Sequence, residues 1–195
     1  MVQIHSLLGG IEMNFEGKEI QLKDGRKAIL KTPEISDAAE LVDLMATVSG
    51  ETKFLVRYKE EWESVTAEGE AEWVRGVRES KNSFVLICRV NNEIAGICDV
   101  TFKTGMKTCH RASVGIALRQ KYWNLGLGSA MFRELINAAT ERGGIDFMEL
   151  EFTKGNERAK ALYEKFGFKI VSEKPNVYKL KDGTYQSIVY MQKYL

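Results

Sequence analysis

The stretch Ser83-Phe84-Val85-Leu86-Ile87-Cys88-Arg89-Val90-Asn91-Asn92-Glu93-Ile94-Ala95-Gly96-Ile97-Cys98-Asp99-Val100-Thr101-Phe102 decides the fold. Two apolar runs, Ser83 to Val90 and Glu93 to Phe102, are joined by an Asn-Asn pair that tolerates positive φ, which predicts a two-residue hairpin. A third run, Ala112 to Leu118, lies beyond a polar connection and predicts another antiparallel strand. Toward the C-terminus, Leu127, Met131, Leu135 and Ala138 recur at helical spacing after Gly126-Leu127-Gly128, and Gly143-Gly144 closes that helix. Ile145 to Phe152 reads as a strand and Asn156 to Phe166 as a short helix ended by Gly167. Phe168 to Leu180 and Thr184 to Tyr194 then make a hairpin around Lys181-Asp182-Gly183. Toward the N-terminus, Glu19 to Lys31 is a strand broken by a Lys23-Asp24-Gly25 turn. Ser36 is the expected N-cap of a helix whose stripe is Ala38, Leu41, Val42, Leu44 and Met45, and Glu68 to Ser80 regains a helical period. This mixture predicts an α+β fold, with a mixed, mostly antiparallel central sheet of about seven strands flanked by about four helices.

With 195 residues, 44% hydrophobic and 28% charged, the chain suits one domain, expected over 18–195, behind a weakly patterned appendage at 1–17. A formal charge of +1 argues against nucleic acid or an anionic membrane as partner. Neither a signal peptide nor a spanning run is legible, so a cytoplasmic location is expected. Cys88, Cys98 and Cys109 lack metal-ligand spacing and read as reduced core or near-core thiols, and no metal is expected.

The segment Arg119-Gln120-Lys121-Tyr122-Trp123-Asn124-Leu125-Gly126-Leu127-Gly128-Ser129 joins a strand to the longest helix. Glycines there allow close backbone approach, and the unpaired N–H groups of a first helical turn favour an anion. Arg119 and Lys121 can add full charges. No P-loop spacing is present. A dinucleotide fingerprint would need a small residue where Met131 stands, and the preceding strands read as a meander, so a Rossmann-like enzyme is a remote alternative.

Two motifs together resemble those of the GNAT superfamily of N-acetyltransferases. Tyr122 to Ser129 is similar to its pyrophosphate loop, with Trp123 in the position where the family carries Gln or Arg. Asn156-Glu157-Arg158-Ala159-Lys160-Ala161-Leu162-Tyr163-Glu164-Lys165-Phe166-Gly167-Phe168 resembles its Asn…Ala…Leu-Tyr…Gly-Phe motif. The resemblance implies acetyl-CoA as cosubstrate, held by Val114, Gly115, Ile116, Ala117 and Leu118 along its pantetheine arm and by Tyr122, Trp123, Asn124, Leu125, Gly126, Leu127, Gly128 and Ser129 around its pyrophosphate, with Asn156 and Tyr163 beside the arm. In the branch that acetylates ribosomal-protein N-terminal alanine, a strand Glu is the base and the motif Tyr the acid, positions that match Glu151 and Tyr163. Glu149 shares a strand face with Glu151 and is separated from it only by the family match.

The activity implied is direct acetyl transfer to a primary amine, such as a polyamine, another small amine or a peptide N-terminus. A homodimer is left open. A non-catalytic acyl-CoA-binding domain would share the loop but have no use for Glu151 with Tyr163. His110 reads as a structural histidine. Glu60, Glu61, Glu63, Glu68, Glu70 and Glu72 read as a solvated face, or as a cluster that steers a cationic acceptor.

Overall fold

A computed structural model of the protein describes residue 15 and residues 17–195. Along the chain the elements are β1 (Lys18–Gln21), β2 (Lys27–Lys31), α1 (Ala38–Glu51), α2 (Ala67–Glu79), β3 (Ser83–Val90), β4 (Glu93–Phe102), β5 (Arg111–Leu118), α3 (Leu127–Arg142), β6 (Phe147–Thr153), α4 (Glu157–Lys165), β7 (Lys169–Lys179) and β8 (Tyr185–Tyr194). The strands form one sheet in the order β1-β2-β3-β4-β5-β6-β8-β7, and only β5 and β6 run parallel. There are eight strands rather than about seven, because the Lys23-Asp24-Gly25 break is a full reversal. Gly25 takes φ +87 there, and the Leu22 N–H closes the turn onto the Arg26 carbonyl.

The predicted hairpin is present: Asn91 and Asn92 have φ of 49 and 65 between the paired Val90 and Glu93. Period-two alternation then sorts the strands into two core layers. Leu86, Cys88, Ala95, Cys98 and Val100 face α3 and α4, joining Leu127, Met131, Phe132, Leu135 and Tyr163. Ile87 and Ile94 face the other way, onto Leu41, Leu44 and Val48 of α1 and Val74 of α2. The sheet therefore carries a helical layer on each face.

Helix starts differ from expectation where local polar groups offer a better cap. Ser36 is not the N-cap of α1, since it lies inside a single 3₁₀ turn, Ile35–Asp37, that leads into the helix. That turn is closed by a box in which Asp37 accepts from the Glu34 N–H, and Asp37 is further engaged by Arg89 and Lys31. Helix α2 starts at Ala67, with the Thr66 hydroxyl accepting from the Gly69 N–H. In β7, the edge strand among the described residues, Pro175 sits within a register shift between Lys174 and Tyr178, where no pairing with β8 requires its missing N–H. Of the 1–17 appendage, only Phe15 and Gly17 are among the described residues. Phe15 exchanges hydrogen bonds with Thr32 and packs edge-on against Phe84.

The ring of Phe132 is fully buried and meets Tyr163, Phe166 and Phe168, so it ties α3 to the α4 region. Phe132→Ala should lower unfolding free energy by about 3–5 kcal/mol, measured by denaturant titration.

Candidate active site

Parallel pairing of β5 with β6 extends only from Arg111↔Phe147 to Ser113↔Glu149. Beyond it, Val114 to Leu118 remain paired with β4 alone, and Leu150 to Thr153 with β8 alone. The facing edges carry backbone N–H and C=O groups with no strand partner, a place for an extended ligand bearing amides. A cleft of about 1210 Å³ opens at this divergence. Val114, Gly115, Ile116, Ala117 and Leu118 line it on one side and Glu151, Phe152 and Thr153 on the other.

The last paired register is locked by side chains. Glu149 accepts from both Nε and Nη2 of Arg111 and from the Ser113 hydroxyl at 3.2 Å, and it does not line the cleft. Glu151, the next residue on that face, does line it, and its carboxylate raises the Tyr190 phenol by proximity. The two glutamates, inseparable by period, thus have different surroundings.

At one end of the cleft, Gly126 takes φ +88 and forms the N-cap of α3 without a side-chain cap. The first backbone bond runs from the Ala130 N–H to the Gly126 carbonyl, which leaves the N–H groups of Leu127, Gly128 and Ser129 directed away from any helical acceptor. A Cβ at Gly128 would stand 3.2 Å from Leu118 Cδ1, so a larger residue would crowd the loop against β5. Tyr122, Trp123, Asn124, Gly126, Gly128 and Ser129 line the cleft. Leu125 and Leu127 do not, because Leu127 is a core residue and Leu125 packs against that core, leaving only their backbone available at this end.

The charges expected beside this loop come from elsewhere. Arg119 is buried and turned toward α1, donating to the Ile94 carbonyl and to Asp43 at 2.7 Å, while Lys121 pairs with Glu93. Lys23, Arg158 and Lys165 line the cleft instead, and none has a carboxylate partner across the cleft among the described residues. Arg158 stacks over the Trp123 ring, and burial lowers the pKa of its guanidinium. Trp123 in turn donates its indole N–H to the Leu118 carbonyl at 2.9 Å. Lys165 donates to the Ser129 hydroxyl. Sequence pattern missed Lys23 because it belongs to a distant turn. Its N–H bonds to the Leu125 carbonyl, which brings the β1–β2 hairpin onto the loop.

Tyr163 projects from α4 into the cleft among Phe132, Phe152 and Phe168, and burial pushes its phenol up to about 12. Asn156 caps α4 by accepting from the Ala159 N–H at 3.2 Å and also lines the cleft. Tyr163, Asn156 and Glu151 therefore share one cavity.

On the α1–α2 face the cleft is walled by Met45, Val48, Phe54, Trp62 and Trp73, with the carboxylates of Glu70 and Asp99. The expected acidic cluster is divided. Glu60 pairs with Lys181, Glu61 caps the Tyr58 N–H, Glu72 pairs with Arg75, and Glu63 and Glu68 are exposed away from the cleft. Only Glu70 enters the cavity, where burial raises its carboxyl against the lowering effect of Arg57. His110 packs edge-on to Phe147 outside the cleft. Cys88 and Cys98 are buried, and burial pushes the Cys88 thiol up to about 12, whereas Cys109 is exposed on the β4–β5 connection and is no core thiol. No group of His, Cys, Asp and Glu among the described residues could hold a metal ion, and none of their helices is long and apolar enough to cross a membrane.

The sheet, the diverging parallel pair and the glycine loop define an acetyltransferase-type fold, and the chain belongs to the acetyltransferase (GNAT) family, whose sequence profile matches residues 51–168. An acetyltransferase of the GNAT family from Streptococcus pneumoniae superimposes with a TM-score of 0.80 at 28% identity, over 86% of this chain and 99% of that one. The structure of yncA from Salmonella typhimurium, solved with its cofactor acetyl-CoA, has a TM-score of 0.73 at 17% identity, over 86% and 94% of the two chains. L-amino acid N-acetyltransferase AaaT of Escherichia coli (strain K12) is 27% identical over 108 residues, a match taking in 55% of this chain and 66% of that relative.

The two strand glutamates should respond differently to neutralisation. Glu149→Gln weakens a half-buried ion pair and should lower unfolding free energy by about 1–2 kcal/mol, between the exposed and buried cases. Glu151→Gln should stay within about 0.5 kcal/mol of the parent in the same denaturation assay.

Proposed function

We propose that the protein is an acetyl-CoA-dependent N-acetyltransferase that transfers the acetyl group directly to a primary amine. The observation that carries this reading is the unpaired edge of β5 running into the uncapped start of α3. An extended arm with amides fits the first, and a pyrophosphate fits the second. Lys23, Arg158 and Lys165 add positive charge at that end, with Arg158 stacked over Trp123, the residue at the loop position where the resembling motif carries Gln or Arg. Acetyl-CoA, when bound, supplies the activated acetyl group. The bound cofactor of the Salmonella neighbour supports the same reading by fold.

The chemistry assigned to this chain's residues is proton handling and alignment. The acceptor enters as an ammonium ion and loses one proton, with Glu151 as the base at the open strand. The amine lone pair then forms the N–C bond, the C–S bond breaks, and the second proton released by nitrogen makes good the one that Tyr163 gives to sulfur, so that only the proton held by Glu151 passes on to solvent. Tyr163, neutral at physiological pH as any phenol is, with burial pushing it further up to about 12, donates toward the departing sulfur. Asn156 holds the start of α4, and therefore Tyr163, in place beside the arm. The family relation to an amino-acid acetyltransferase supports an amine acceptor.

Isothermal titration should detect acetyl-CoA and CoA binding to the parent. Gly128→Asp should abolish that binding by adding bulk against Leu118 and negative charge at the helix start, with the far-ultraviolet circular dichroism spectrum retained. Unchanged CoA affinity in the folded variant would remove the site from the loop. Tyr163→Phe should reduce turnover roughly 10²–10⁴-fold with CoA affinity little changed, read in single-turnover assays of free thiol release.

A further inference from the structure

We propose that Asp99 receives the acceptor's ammonium group on the floor of the cleft, opposite Glu151, and that the acceptor carries this single cation on an apolar or aromatic body. The inference rests on the acetyltransferase reading and names the substrate class of that site. Ile97 packs toward α1 and α2, so Asp99, two residues on, faces the same side of the sheet. On β5 the residue opposite Asp99 is Gly115, and on β6 the position two beyond the last paired residue, Glu149, is Glu151. Asp99, Gly115 and Glu151 thus lie in one lateral row, with the gap between β5 and β6 separating the last two.

Glycine is required in the middle of this row. A Cβ at Gly115 would stand 2.8 Å from Asp99 Oδ1, so the Asp99 carboxylate lies directly over the glycine, beside the opening through which a thioester on the α3–α4 side would present its carbonyl. Asp99 forms no ion pair or side-chain hydrogen bond among the described residues, although it lines the cleft and burial alone raises its carboxyl. Other well-buried carboxylates of the chain are partnered: Asp37 by Arg89 and Lys31, Glu134 by Lys18. A desolvated carboxylate without a partner is unfavourable unless a cation visits it. The surroundings fit one cation with an apolar flank, since Met45, Val48, Phe54, Trp62 and Trp73 form the adjoining wall and Glu70, the further carboxylate there, already has Arg57 acting on it. Trp62 is held in that wall by its N–H donation to the Ser49 hydroxyl at 3.0 Å.

A stability readout separates a binding role from a structural one. The folded protein raises the carboxyl of Asp99 above its unfolded value, so its ionisation subtracts stability once pH exceeds the unfolded value. Asp99→Asn should therefore leave Tm at pH 7 equal or higher, whereas removal of a structural partner would lower it. The probes are 2-phenylethylamine, with one cation on an aromatic body, and spermidine, with several cations and none. The parent should have the lower KM for 2-phenylethylamine. Asp99→Asn should raise that KM roughly 10- to 100-fold, the loss of a charge-assisted hydrogen bond, with a smaller change in kcat and the same acetyl-CoA Kd. An unchanged KM, or a lowered Tm accompanying the KM rise in both Asp99→Asn and Asp99→Ala, overturns the role of Asp99. Preference for spermidine, or turnover of neither amine by a protein that binds acetyl-CoA, overturns the acceptor class. Failure of the parent to bind acetyl-CoA at all overturns the cofactor reading instead.

Discussion

The structure turns on a parallel contact that stops early. Interior strands ordinarily exhaust their backbone hydrogen-bonding capacity on both edges, because an unpaired buried N–H or C=O is expensive. Here β5 and β6 sit in the middle of an eight-stranded sheet and pair over only three positions. The Arg111–Glu149–Ser113 cluster fastens the closed end at the last of those positions. Divergence beyond that point is thereby fixed in place and direction, and the exposed edges of Val114 to Leu118 become part of a cleft rather than a packing defect.

Because the opening passes through the sheet, it joins two faces that the helical layers otherwise keep apart. The α3–α4 face offers a helix start with three free N–H groups and the cations Lys23, Arg158 and Lys165. The α1–α2 face offers aromatic walls with Glu70, Asp99 and Glu151. Positive charge gathers at the helix start, whereas the α1–α2 side carries these carboxylates together with Lys53 and Arg57, the latter lying over the Trp62 ring. Three cations beside an uncapped helix start suit an anionic group at that end.

The hairpin at Asn91-Asn92, the third meander strand and helix α3 were legible because turn chemistry and periodicity are local signals. Tyr163, Glu151 and the loop glycines were legible through the motif resemblance, and all line the cleft. What escaped was long-range placement. Arg119 and Lys121 look basic beside the loop, yet their partners Asp43 and Glu93 come from other elements and draw them away. Lys23 and Asp99 carry no motif, since their position depends on a hairpin folding onto the loop and on strand register. The run of six glutamates looked like one cluster, but a 3₁₀ turn at Lys59–Trp62 and the helix start at Ala67 point the side chains in different directions.

Proton accounting at Tyr163 explains why its aromatic enclosure is compatible with the proposed role. An ordinary thiol ionises near 8.5, so a phenol raised to about 12 would be too weak an acid to protonate a solvated thiolate without an uphill step of about 5 kcal/mol. The sulfur, however, would depart beside the ring of that phenol and not in water. Desolvation acts on a thiol in the same sense as on a phenol, as Cys88 of this chain shows, with burial pushing it up to about 12. A thiolate forming in a comparably dry site gains basicity in step with the loss of acidity at Tyr163, and the two groups approach the matched pKa that efficient proton transfer needs. In the proposed role, the ring wall of Phe132, Phe152 and Phe168 would do more than hold the phenol, because the desolvation that raises Tyr163 would raise a thiolate beside it in the same sense.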